Sequence, residues 1–261
     1  MRLGRIQNDY TAKGFDLVKK QNLDFLEFCC NSQEEAEKLV AAVPAVQAEC
    51  RRTSLPVSCV GRWNHNVQEN GVLLPERLKS YYDLLDAAAA LGAKTFVAGC
   101  NYDDSVSLYR NYQNAVALFG GLLEHAKGKN IAVAVQNCSW FNFVATDRDF
   151  DIVLGELPDL KLKYDPSHAY NRGEDYLRLL AKWGSRVAHV HIKGTTHAGE
   201  FPVADPPAGM DDIRWGSLFS ILYSVGYDGD LSIEPHSGAW TGEKGEAGVA
   251  FTRDFISGLM V

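Results

Sequence analysis

The sequence lacks several features that would each fix a class of protein. It has no run of about 18 consecutive apolar residues, so no membrane-spanning helix and no membrane partner are expected. Its six cysteines, Cys29, Cys30, Cys50, Cys59, Cys100 and Cys138, show no CxxC spacing. That removes the usual zinc and thiol-redox motifs and leaves buried, reduced thiols as the expectation. Basic residues are in deficit, 26 Lys and Arg against 33 Asp and Glu, for a net charge of −7. Nucleic acid is therefore not an expected partner, because phosphate binding needs a basic face. No GxGxxG turn follows the first strand-like segment, so a dinucleotide-binding sheet has no support. The first eight residues carry no signal-peptide apolar core, and a cytoplasmic location is expected. No linker-like, low-complexity or long charged segment divides the chain, so one domain over residues 1–261 is expected.

What is present is a strict alternation. Short β-rich runs at 3–7, 25–29, 56–60, 95–99, 131–136, 162–165, 188–192 and 231–234 are separated by helical patterns, among them 34–43, 75–91, 109–127, 176–183 and 215–225. Pro75 opens one of these helices and Gly92 follows its end, as helix termini prefer. Repeated strand–helix units imply parallel strands with helical crossovers. Eight such units in 261 residues predict a closed (β/α)₈ barrel, an α/β fold of roughly 250 residues, with an open doubly wound sheet as the alternative. The segments 61–74 and 194–214 are longer than a barrel needs. Both follow strands, which places them on the face where barrel active sites form.

The last four strands each end in a polar residue that an apolar barrel would not choose for packing. These are Gln136, Asp165, His191 and Glu234, separated by 29, 26 and 43 residues, one βα unit apart each time. In a closed barrel these ends converge. Two carboxylates, an imidazole and an amide oxygen together can bind one divalent ion, Mn²⁺, Mg²⁺, Co²⁺ or Zn²⁺. Any one of them alone is better read as a satisfied buried polar group. Four at successive strand ends would compete for partners, and a shared cation resolves that cost.

Other residues are candidates of lower weight. His189 shares a strand face with His191, so one can ligate while the other packs deeper or orients it. His168, Lys193, His65 and Trp215 are candidates for substrate contact, with Trp140 and Trp240 as further aromatic surfaces for sugar faces. For Lys193 a solvated surface lysine, and for the tryptophans core or rim packing, are the plain alternatives. His236 is a candidate proton partner of Glu234.

Residues 84–261 resemble the xylose-isomerase-like TIM barrels, the sugar phosphate isomerase/epimerase family that also includes ketose 3-epimerases and endonuclease IV. The resemblance is carried by Leu91-Gly92-Ala93, Asp165-Pro166-Ser167-His168, His189-Val190-His191-Ile192-Lys193, and Gly226-Tyr227-Asp228-Gly229 leading to Ser232-Ile233-Glu234. It implies metal ligation by Asp165, His191 and Glu234 and substrate contact by His168. The family's fifth-strand Glu is replaced by Gln136, and Lys193-Gly194 stands where many relatives have Lys-Asp. An amide is no general base near neutral pH, though its oxygen can still bind metal. Epimerisation by two carboxylates, as in the family, therefore lacks one of its bases.

Three readings follow. The first is a metal-assisted isomerase or epimerase of a small sugar or sugar-like carbonyl compound, with Glu234 as the proton-transfer base. The second is a lyase that expels a leaving group from an oxidised (3-oxo) sugar or glycoside, which needs only one base. The third is a non-catalytic sugar-binding protein or subunit. A homo-oligomer is left open.

Overall fold

The alternation read from the sequence closes on itself. In the computed structural model, which describes residues 1–261, eight parallel strands form a barrel: β1 (Arg2–Ile6), β2 (Leu26–Cys30), β3 (Val57–Arg62), β4 (Thr95–Ala98), β5 (Ala132–Gln136), β6 (Lys161–Tyr164), β7 (Val187–Ile192) and β8 (Asp230–Ile233). Each strand pairs with the next in sequence. Closure comes from β1 and β8, in register from Arg2 opposite Asp230 to Arg5 opposite Ile233. The open-sheet alternative is excluded.

Nine helices surround the barrel: α1 (Ala12–Lys20), α2 (Gln33–Thr53), α3 (Pro75–Ala90), α4 (Leu108–Ala126), α5 (Asp147–Glu156), α6 (Pro166–Asn171), α7 (Tyr176–Trp183), α8 (Trp215–Ser224) and α9 (Gly242–Ser257). Their starts are built as the sequence directs. Ser32 accepts a hydrogen bond from the Glu35 amide at the head of α2, and Thr146 with Asp149 forms a capping box on α5. The helix expected over 34–43 is corrected: α2 runs on through Pro44 to Thr53. Proline removes one backbone donor there, but Leu39 and Val46 on either side of it are both fully buried. That packing holds the helix together past the proline.

Strand alternation sorts side chains into two layers. On β7, Val190 and Ile192 point outward into the apolar layer beneath the helices, whereas His189 and His191 point inward. The barrel interior is divided. Cys29, Cys59, Trp63, Val97 and Ala134 form a small apolar cluster on the β2–β5 side. Toward the base of the barrel, Arg2 grips Asp230 at 2.8 and 2.6 Å, and Ser58 also donates to Asp230. All six cysteines are free and five are buried, as expected.

The two long segments are not structureless. Residues 61–74 fold back as a hairpin of Gln68–Glu69 with Val72–Leu73, and 194–214 as Thr196–Ala198 with Phe201–Ala204. No helix is long and apolar enough to cross a membrane.

Candidate active site

A cavity of about 510 Å³ opens at the C-terminal ends of the strands. Its wall is formed by Ile6, Cys29, Trp63 and Trp140 on one side, with Lys163, His168, His191, Lys193, Glu234 and His236 supplying the polar groups. This is the usual size and composition of a small-molecule site.

Asp165 directly follows β6 and caps α6. Its Oδ1 accepts from the Ser167 amide at 2.9 Å and from the Ser167 hydroxyl at 2.7 Å. Asn137 locks the Asp165 backbone, accepting from its amide and donating to its carbonyl. One carboxylate oxygen is thus fixed, and the other, Oδ2, is buried with no hydrogen bond. Around Oδ2 stand His168 Nε2 at 3.4 Å and Lys163 Nζ at 3.8 Å. Burial pushes the Asp165 carboxyl toward protonation, but the interactions with neighbouring His168 and with the Lys163 ammonium outweigh it and hold its pKa below the usual value. Burial in turn lowers the His168 imidazole to about 4.

His191 is held at both ring nitrogens. Nδ1 lies 2.6 Å from Glu234 Oε2, and Nε2 lies 2.9 and 3.0 Å from the two oxygens of Glu27. Glu27 also takes His189 Nε2 at 2.8 Å, so the deeper histidine packs against the same carboxylate. Burial disfavours the charged Glu27 carboxylate, yet the two imidazoles, His191 and His189, more than offset it, and its pKa falls well below the ordinary range. Glu234 behaves alike: burial opposes its charge, while Lys193 and His191 hold it ionised.

A divalent ion fits this donor set. One ligand atom each from Asp165, His191 and Glu234 lies within 4.8 Å of the others. The Asp165 Oδ2 and Gln136 Oε1 atoms are buried without partners. A buried acceptor left unpaired costs about 1–3 kcal/mol, a cost a bound cation removes. A carboxylate on the far nitrogen of a ligating imidazole is the usual orienting contact, and Glu27 supplies it.

The sequence-derived candidates divide. Asp165, His191 and Glu234 are brought together, and His168 and Lys193 line the same cavity. Gln136 lies at the end of β5 with its side chain buried; its amide nitrogen faces Gly99 rather than the cavity. His65 and Trp215 are corrected. His65 is buried within the 61–74 segment, where Nε2 donates to the Arg77 carbonyl at 2.9 Å and Arg62 approaches Nδ1 at 3.3 Å. Trp215 opens α8 inside the apolar layer, its indole N–H held by Asp211 at 3.0 Å. Neither lines the cavity. Trp140 does line it; Trp240 instead packs near Gly248 of α9 under Lys244. His236 lines the rim, 3.7 Å from Asp205.

Three contributors escaped the sequence reading: Glu27, Trp63 and Lys163. Glu27 and Lys163 each interrupt an apolar strand, in Leu26-Glu27-Phe28 and Leu162-Lys163-Tyr164. A charge between two buried apolar neighbours was the available signal. Trp63 lies flat over Gly61, nearly parallel to His191 with ring centres 6.5 Å apart.

Comparison with known proteins agrees with this architecture. A family model described as xylose isomerase-like TIM barrel matches residues 15–255. No curated protein matches the chain significantly. Among solved structures, a 3-keto-D-glucoside 4-epimerase from E. coli superposes with TM-score 0.76 at 17% identity, covering 97% of this chain and 99% of that one. A D-allulose 3-epimerase from Methylomonas sp. gives 0.78 at 17% identity, covering 100% and 98%. A D-psicose 3-epimerase from Clostridium cellulolyticum, with D-tagatose, gives 0.79 at 15%, covering 100% and 99%.

Proposed function

The chain belongs to the xylose isomerase-like TIM-barrel family, and from that premise we propose that it is a divalent-metal-assisted isomerase or epimerase of a small sugar or sugar-like carbonyl compound. The observation that carries the reading is the convergence of Asp165, His191 and Glu234 within 4.8 Å beside a 510 Å³ cavity. The similar folds belong to enzymes named for epimerising ketoses and a keto-glucoside, which supports a carbohydrate substrate. Residues 1–261 act as one domain in this reading.

Asp165, His191 and Glu234 hold the ion, with the Gln136 amide oxygen as a neutral fourth donor. When bound there, a divalent ion polarises a carbonyl and stabilises negative charge on adjacent oxygens. Glu234 has its side chain 18% exposed, the most open of the acidic groups in the site, and it takes the proton from the carbon beside the carbonyl. Lys193, with Nζ 3.6 Å from Glu234 Oε1, favours the ionised carboxylate that this role requires. Trp63 and Trp140 offer apolar faces to the sugar ring.

Gln136 favours a second reading. With no carboxylate at the end of β5, a reaction that needs one base is better matched than one that needs two, and β-elimination from a 3-oxo sugar is such a reaction. One experiment separates the two. Metal-loaded protein is incubated in D₂O with free ketoses and with 3-oxo glycosides. Deuterium in a recovered or isomerised sugar supports the first reading, and an unsaturated sugar with a released leaving group supports the second. Neither product, with sugars that nevertheless stabilise the fold, would sink both and leave a binding protein.

A further inference from the structure

Two ammonium groups in the cavity have no role in the scheme above beyond charge. Lys163 is 1% exposed and Lys193 8%. Lys163 Nζ stands 3.8 Å from Asp165 Oδ2 and 5.9 Å from the centre of the Trp63 ring. Lys193 Nζ stands 3.6 Å from Glu234 Oε1. Both distances exceed a hydrogen bond, and neither ammonium donates one to any protein group. Each carries three N–H donors, so the cavity holds two buried cations whose donors are uncommitted.

Burying a cation without hydrogen-bonded partners is costly. The nearby carboxylates do not remove that cost if they hold a metal ion, because their charge is then spent on it. A neutral sugar would leave both ammoniums without an opposing charge. From this geometry we propose that the substrate is an acid sugar, whose carboxylate is bound between Lys163 and Lys193 next to the reacting carbonyl. The inference rests on the reading of the cavity as a carbohydrate site.

A carboxylate is favoured over a phosphate by what the cavity omits. Its wall contains no arginine and no glycine-rich turn. The one helix that begins there, α6, opens on Pro166, which has no N–H, and its next amide, that of Ser167, is already taken by Asp165. A phosphate dianion is usually gathered by such guanidinium forks or free backbone amides, whereas two separate point charges suit a single carboxylate. The position also has meaning. Lys163 lies on the strand that leads to Asp165, and Lys193 follows the strand that carries His191, so the anionic group lies beside the ligand set and not at the distal end of the sugar.

The test is a binding comparison by calorimetry on metal-loaded protein, with D-fructose, 2-keto-D-gluconate, whose carboxylate adjoins the ketone, and D-fructose 6-phosphate as probes. The keto-acid is expected to bind at least about tenfold more tightly than fructose, with a preference that shrinks as ionic strength rises. Lys163→Met and Lys193→Met should each collapse that ratio toward unity, and Lys163→Arg should preserve most of it. The salt series needs no variant, so a variant that fails to fold does not blunt the test. Equal affinity for fructose and the keto-acid, a preference for the phosphate, no binding of the keto-acid, or a ratio that survives both methionine variants would each overturn the proposal. Because the readout is binding, it is separable from turnover. An enzyme that exchanges deuterium into fructose yet ignores the acid refutes this inference alone, and one that binds the acid but exchanges nothing refutes only the proposed reaction.

Discussion

Glu27 and His191 meet across the barrel interior from strands that are not neighbours, with both Glu27 oxygens within 3.0 Å of His191 Nε2. This contact decides which nitrogen of His191 faces the cavity. With Nε2–H donated to Glu27, Nδ1 is the atom turned toward Glu234. The same carboxylate receives His189, so removing it would unsettle both rings.

The first prediction follows directly. Glu27→Gln keeps the size of the side chain but leaves one acceptor oxygen for two imidazoles. Loss of such an orienting partner typically lowers metal affinity by about 10–100-fold. Titration of the apo protein with Mn²⁺ or Co²⁺ should show a weakening of that order, with far-UV circular dichroism unchanged. Wild-type affinity in a folded Glu27→Gln protein would show that His191 needs no such anchor.

A second concerns Gly61, which lies under the Trp63 ring. A methyl group there would overlap the indole, so Gly61→Ala must push Trp63 toward His191 and Lys163, its neighbours in the cavity. Overpacking of this kind costs about 1–3 kcal/mol. Urea denaturation should show the loss, and tryptophan emission should shift as Trp63 changes environment. An unaltered midpoint and spectrum would mean that the ring is free to move aside.

Periodicity exposed all eight strands and the barrel they form, because hydrophobic alternation and crossover length are local properties. Asp165, His191 and Glu234 were legible for a related reason: each is a polar residue at the end of an apolar run. Glu27 and Lys163 were not, since each sits inside a strand, where a charge reads as an interruption until the barrel closes and shows what faces it. His65 and Trp215 failed in the opposite way. They lie in or beside long segments that the sequence marks as functional. In the structure these segments fold back as hairpins, with His65 buried within one segment and Trp215 at the start of the helix that follows the other.

His65 supplies a third prediction, on stability. Burial holds its imidazole at about 4, against an ordinary value of 6.5. The unfolded chain therefore takes up a proton at this position in a range where the folded chain does not. Its contribution is fully present above pH 6.5 and is lost as pH falls from there toward 4. Between pH 7 and pH 5 the loss amounts to about 2 kcal/mol. His65→Gln, which keeps a donor for the Arg77 carbonyl, should flatten the fall in unfolding free energy over that interval by the same amount. Parallel pH profiles for the two proteins would rule His65 out as the source.

The last prediction sets Glu234 against Gln136. If Glu234 is the base, Glu234→Gln should lower kcat by about 10²–10⁴-fold while the fold persists. Metal content must be measured in the same sample, because Glu234 is also assigned as a ligand. The informative case is turnover lost with metal still bound, and wild-type kcat with metal bound would move the base to another residue. Gln136→Glu should act in the opposite direction on affinity. Gln136 and Lys163 are register partners on β5 and β6, so a carboxylate at 136 gains a cation beside it as well as the metal. Part of the new charge is then spent on Lys163, and the gain in Mn²⁺ affinity should be larger in Lys163→Met/Gln136→Glu than in Gln136→Glu alone. Equal gains in the two backgrounds would show that Lys163 does not share its charge with the end of β5.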